Sequence, residues 1–115
     1  MMSQSTISIQ VDLDEQKLPE TIRWTADNRG EDDASRAKAF FLSFWDGAEK
    51  TALRIDLWTK DMMVDEMADF VYQTLMTMAD TYGRATQYAD QVTDMKEFAR
   101  DFMGKFRKKQ QQEGK

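Results

Sequence analysis

The side chains that could do chemistry in this 115-residue chain are mostly carboxylates: it has 21 aspartates and glutamates but no histidine and no cysteine. Asp12, Asp14 and Glu15 open like a calcium loop, yet the position where such a loop needs glycine for its sharp turn is Lys17. A solvated turn accounts for them. Asp65 and Asp69 stand four apart with Glu66 beside them, a spacing at which paired carboxylates hold a metal or act as acid and base. With so many acidic residues such spacings arise by chance, and a solvated helix face is the simpler reading. Glu31-Asp32-Asp33 reads as part of a soluble loop. No metal ligand, cofactor-binding residue or catalytic residue is assigned.

The missing residue types narrow the chemistry further. Without histidine the chain lacks the side chain that moves protons most readily near neutral pH and the commonest metal ligand. Serine–histidine and cysteine–histidine nucleophile pairs are excluded outright. The five glycines form neither G-x-G-x-x-G nor G-x-x-x-x-G-K, so no phosphate-cradling loop is present. The expectation is a protein that is not an enzyme and uses no cofactor.

Charge argues in the same direction. The formal net charge of −5 divides into −9 over the first 99 residues and +4 from Arg100 onward. An acidic body does not suit nucleic acid, which selects a basic face able to displace counterions. The basic end, Lys105-Phe106-Arg107-Lys108-Lys109, offers at most a weak contact with an anionic surface, and cations near a helix C-terminus are favourable for dipole reasons alone. The first ten residues carry no basic patch followed by an apolar run, and no window has the roughly 18 apolar residues of a membrane span. A soluble, cytoplasmic protein is expected.

Two periodicities position these residues. Residues 6–13 alternate strictly, with Ile7, Ile9, Val11 and Leu13 on one face, and residues 21–26 alternate again around Ile22, Trp24 and Ala26. A polar turn at 14–20 containing Pro19 separates them, and the polar stretch 27–36 reads as a loop. Residues 37–46 and 51–58 predict a third and a fourth strand joined by Gly47-Ala48-Glu49-Lys50. Setting Asp46 opposite Thr51 places Phe44 against Leu53, Leu42 against Ile55 and Phe40 against Leu57, a match that a one-residue slip would destroy. From Met63 the period becomes helical, through Met67, Phe70, Val71, Leu75, Met78, Ala79 and Tyr82, with Asp61 as the expected N-cap. Gly83 ends this helix or lies in its last turn. A second stripe follows: Tyr88, Val92, Met95, Ala99, Phe102 and Phe106, flanked by Phe98 and Met103.

The order ββββαα predicts an α+β fold: a four-stranded antiparallel sheet with two C-terminal helices packed on one face. At this length one domain is expected, over residues 1–107, followed by a disordered basic and polar tail at 108–115.

On this register Phe41, Trp45, Arg54 and Trp58 share the sheet face opposite the expected core. Large aromatics with arginine are what interface centres favour, so these four form the candidate interaction surface. Two alternatives stay open: cover by the 27–36 loop or the last helix, and contact with a protein partner or a second copy. The chain's nine methionines include Met62 and Met76, which lie off the helical stripe and would line an apolar groove in an adaptor for an unfolded client.

The segment Leu53–Met67 (LRIDLWTKDMMVDEM) carries a family resemblance, together with Ser43-Phe44-Trp45-Asp46 upstream and Phe70-Val71-Tyr72-Gln73-Thr74-Leu75 downstream. It resembles the gliding-motility-associated GldC family of the Bacteroidetes. Met63 stands where some members are expected to have proline, which bears on the helix entry and not on chemistry. The resemblance implies a cytoplasmic accessory protein of the gliding apparatus, linked to type IX secretion, whose partners are proteins of that machinery. It implies no catalytic residues. Homodimer pairing through an edge strand is a further expectation from the residues themselves.

Overall fold

The computed structural model describes residues 3–26 and 34–113. Its elements run β1 Ile7–Leu13, β2 Pro19–Ala26, β3 Ser35–Ala37, β4 Ala39–Asp46, β5 Thr51–Trp58, α1 Val64–Thr86 and α2 Ala89–Glu113. Strands precede helices, as α+β requires, and every strand pairing is antiparallel. The chain divides into two compact units, Met1–Met62 and Met63–Lys115.

The expected single four-stranded sheet does not form. The strands make two separate sheets, one of three strands in the order β1-β2-β3 and one of two, β4-β5. Lys38 divides them. Ala37 pairs back to Ile22 while Ala39 pairs forward to Trp58, and the bend at Lys38 breaks the single strand expected over 37–46. The stretch expected as a loop at 27–36 supplies Ser35 and Arg36 to β3; residues 27–33 lie outside those described.

In the three-stranded sheet, alternation works as read. Ile9 pairs with Trp24 and Val11 with Ile22, so the apolar set of β1 shares a face with that of β2. The turn between them is built on Asp14, whose Oδ1 accepts the N–H groups of Gln16 at 2.8 Å and Leu18 at 3.0 Å. Lys17 takes the left-handed conformation, φ 64°, that the turn demands. Pro19 opens β2, the first position of a strand being one that tolerates a missing N–H.

Helix α1 begins two residues later than an Asp61 cap would set it. Met63 is the N-cap, and the Glu66 carboxylate reaches back to its N–H at 3.0 Å, satisfying one orphan donor. Asp61 instead accepts the hydroxyl of buried Thr59, while the Thr59 N–H donates to the Lys38 carbonyl at 2.7 Å. Gly83 lies inside α1, which closes on Gln87 in the left-handed conformation, φ 69°.

The two helices form an antiparallel hairpin. Lys96 Nζ lies 2.7 Å from the Asp80 carboxylate, and the Tyr82 hydroxyl donates to Gln91. A Cβ on Gly83 would come within 3.0 Å of Val92 Cγ2, so α2 packs tightly against α1 where a side chain is missing. Ala68, Ala79, Ala99 and Met103 are the buried residues, whereas Met63, Met78, Tyr88 and Phe98 stay exposed. Helix α2 continues through Lys108 to Glu113, in place of the expected disordered tail; residues 114–115 lie outside those described. Its last turn is therefore Gln-rich, and Lys105, Arg107, Lys108 and Lys109 sit further in than a dipole-capping role would place them.

Candidate functional site

The β4–β5 hairpin carries the candidate surface, and its turn shows why the register is firm. Asp46 Oδ1 accepts the N–H groups of Ala48 at 3.0 Å and Glu49 at 3.1 Å, and the Asp46 carbonyl accepts from Lys50 at 2.8 Å. Lys50, φ 55°, supplies the left-handed step that brings the chain back. Asp46 then faces Thr51, Phe44 faces Leu53, Leu42 faces Ile55 and Phe40 faces Leu57, the pairing expected from the apolar match.

The opposite face brings all four predicted site residues together. Trp45 lies across from Ala52 near the turn, Ser43 from Arg54, Phe41 from Asp56 and Ala39 from Trp58 at the open end. Arg54 is held on both sides. Its Nη2 and Nε reach the two carboxylate oxygens of Asp56 at 3.0 and 3.2 Å, and its guanidinium carbon stands 5.7 Å from the centre of the Phe41 ring. Phe41 is half-buried, while Trp45 is 69 % and Trp58 56 % exposed. The result is a polar and aromatic centre with an indole at each end, a composition typical of a hot-spot cluster.

The other face departs from expectation. Phe44, Leu53 and Ile55, expected to point into the core, are each more than half exposed. Among the described residues no further strand extends this two-stranded ribbon, so a matched apolar register does not by itself supply cover.

At the open end lies a cleft of about 330 Å³ that alternation could not reveal, lined by Leu18, Pro19, Asp56, Leu57, Trp58 and Lys60. It joins residues some forty positions apart. The Lys60 N–H donates to the Pro19 carbonyl at 3.3 Å, and the Lys60 ammonium sits 2.9 Å from Asp14 and 3.8 Å from Glu20. Its lining is apolar with charge at the rim, suited to one large apolar side chain.

The Leu18 N–H, with the Lys60 ammonium, holds Asp14 below the usual carboxylate range, and Asp14 in turn raises Lys60. Asp14 therefore contributes stability that is whole above the ordinary carboxylate pKa and is lost as pH falls through the lowered one. Lys60 contributes below the ordinary lysine value and loses that contribution as pH rises through the raised one. Asp14→Asn should flatten the acid limb of stability against pH, read by tryptophan fluorescence in urea titrations. An acid limb of unchanged steepness would show that Asp14 is not the responsible group.

The other acidic groupings are engaged locally. Asp65 Oδ1 accepts the Glu66 N–H at 3.0 Å, Glu66 serves the helix entry, and Asp69 accepts from Gln73 at 3.2 Å. Asp12 pairs with Arg23 at 3.2 Å across the first sheet. Among the described residues no three such side chains converge as metal ligands, and no helix is long and apolar enough to cross a membrane.

Comparison with curated proteins and with solved structures finds no match. A family model described as gliding motility-associated protein GldC-like matches residues 19–108, which takes in β2 to β5, α1 and most of α2, and with them the whole candidate surface. The chain therefore belongs to the GldC-like family of gliding motility-associated proteins.

Proposed function

We propose that this protein is a non-enzymatic, cytoplasmic accessory factor of gliding motility that works by binding other proteins of the gliding apparatus and its linked type IX secretion system. The observation that carries the reading is the pair of exposed indoles, Trp45 and Trp58, flanking the Arg54–Asp56 ion pair on one face of the β4–β5 hairpin. Exposed aromatic patches of this kind mark interaction sites, and their residue types are those that dominate binding energy. The cleft beside Trp58 adds a socket for a partner's apolar side chain. Absence of histidine and cysteine supports binding over catalysis.

The test is a Trp45→Ala, Trp58→Ala double variant in a gliding host. Both side chains are exposed, so the fold and the cellular level of the protein should be unchanged. Gliding and recovery of the wild-type partners should be lost. A folded variant that glides normally and recovers every partner would remove this surface from consideration.

A further inference from the structure

Strand β5 presents an open edge as far as Trp58; just beyond it the outward Lys60 N–H is taken by the Pro19 carbonyl at 3.3 Å. Among the described residues it pairs with β4 alone, and Thr51–Trp58 contains no proline and no lysine, two of the devices that blunt an edge; its charges are Arg54 and Asp56. Seven of its eight residues are exposed. The direction of its backbone groups follows from one bond. The Thr59 N–H donates to the Lys38 carbonyl at 2.7 Å, in register with the hairpin, so the odd-numbered residues of β5 bond to β4. Alternation then turns the N–H and C=O groups of Ala52, Arg54, Asp56 and Trp58 away from β4.

We propose that this edge is occupied by β5 of a second copy of the chain, paired antiparallel about a two-fold axis at Ile55. With Ile55 facing its own counterpart, Arg54 of each copy faces Asp56 of the other, Leu53 faces Leu57, and small Ala52 faces large Trp58. The four outward residues are the ones this register hydrogen-bonds. Alternatives fail on charge: a two-residue shift one way sets Arg54 against Arg54, and the other way sets Asp56 against Asp56. A one-residue slip mismatches the two faces. Strand β4 carries only Asp46 as a charge and offers nothing comparable to set a register. The product is a four-stranded sheet in the order β4-β5-β5-β4, which passes the size at which a sheet becomes independently stable. This goes beyond the binding role proposed above and does not rest on it: Arg54, Asp56 and Trp58 belong to both surfaces, while Trp45 lies on β4 and takes no part in the pairing.

The solution mass of the whole chain is the first measurement, with 26.8 kDa expected, twice the 13.4 kDa of one copy. Arg54→Asp alone and Asp56→Arg alone should each raise the dimer dissociation constant roughly 30-fold, by setting two like-charged pairs face to face. Mixing the two variants should restore a dimer, and so should combining both changes in one chain, since each arrangement restores opposite charges. The chain has no cysteine, so Ile55→Cys reports the register directly. Counterparts in a non-hydrogen-bonded pair stand about 4.5 Å apart, within disulfide reach, and oxidation should link this variant, whereas Leu53→Cys should stay unlinked. A wild-type mass of 13.4 kDa at about 1 mM would overturn the proposal. So would a dimer indifferent to both reversals, or equal linking of the two cysteine variants. If the reversals fail to fold, the wild-type mass and the cysteine pair decide alone.

Discussion

Ile22→Ala is expected to destabilise the strand unit by about 3 kcal/mol, the usual cost of emptying a filled isoleucine site. Ile22 is 1 % exposed, the largest side chain so completely enclosed among the described residues. It sits on the central strand of the three-stranded sheet, with Val11 of β1 on one side and Ala37 of β3 on the other. Among the described residues of Met1–Met62 only Ile22 and Thr59 are buried, so Ile22 supplies much of the enclosed apolar surface of this unit. All three tryptophans, Trp24, Trp45 and Trp58, lie in that unit, which makes their fluorescence a reporter of it. A urea midpoint by fluorescence that does not move in the variant would show that Ile22 does not hold this sheet together.

Ala99→Leu should cost the helical hairpin about 2 to 3 kcal/mol through overpacking. Ala99 is 0 % exposed, as is Ala79 on the facing helix. The approach at Gly83 and Val92 is already so close that an added Cβ would press on a methyl group, and a leucine at Ala99 adds three carbons to a similarly filled seam. The helices can accommodate them only by moving apart, which loses contact along the whole interface. Far-ultraviolet circular dichroism reports this unit because α1 and α2 supply the helical signal. A midpoint for loss of helix equal to that of the wild type would place Ala99 at a looser point than its burial indicates. Comparing the two probes in both variants also tests whether the units unfold together. A shift confined to one probe in each variant means they unfold separately.

These two sites show where the sequence was legible and where it was not. Ile22 was recognisable from alternation alone. In the helices the stripes included Ala79 and Ala99, which the structure buries, but also Met78, Phe102 and Phe106, which it does not; buried Met103 lay on the flank of the stripe and buried Ala68 off it. At the line of closest approach between two helices only small residues fit, and bulky ones spread to either side. Periodicity reports the direction of a side chain but not its distance from the neighbouring axis.

The candidate site divides along the same line. Alternation and the cross-strand apolar match were sufficient to put Phe41, Trp45, Arg54 and Trp58 on one face, because strand period and hairpin register are local properties of a short connection. That Arg54 grips Asp56 and lies over Phe41 depends on rotamers, which the pattern does not specify. The cleft uniting Leu18 and Pro19 with Trp58 and Lys60 depends on a contact between distant segments.

By itself, then, the sequence determined that strands precede two helices, the β4–β5 register, the composition of the aromatic face and the resemblance to GldC. These follow from periods of two and 3.6 residues and from the identity of neighbouring residues. Tertiary structure decided that the strands split at Lys38 into two sheets and that Phe44, Leu53 and Ile55 stay exposed. It also decided that the tail continues as helix. Each of these depends on which distant segment supplies hydrogen bonds or cover, a competition between long-range contacts that local pattern does not encode.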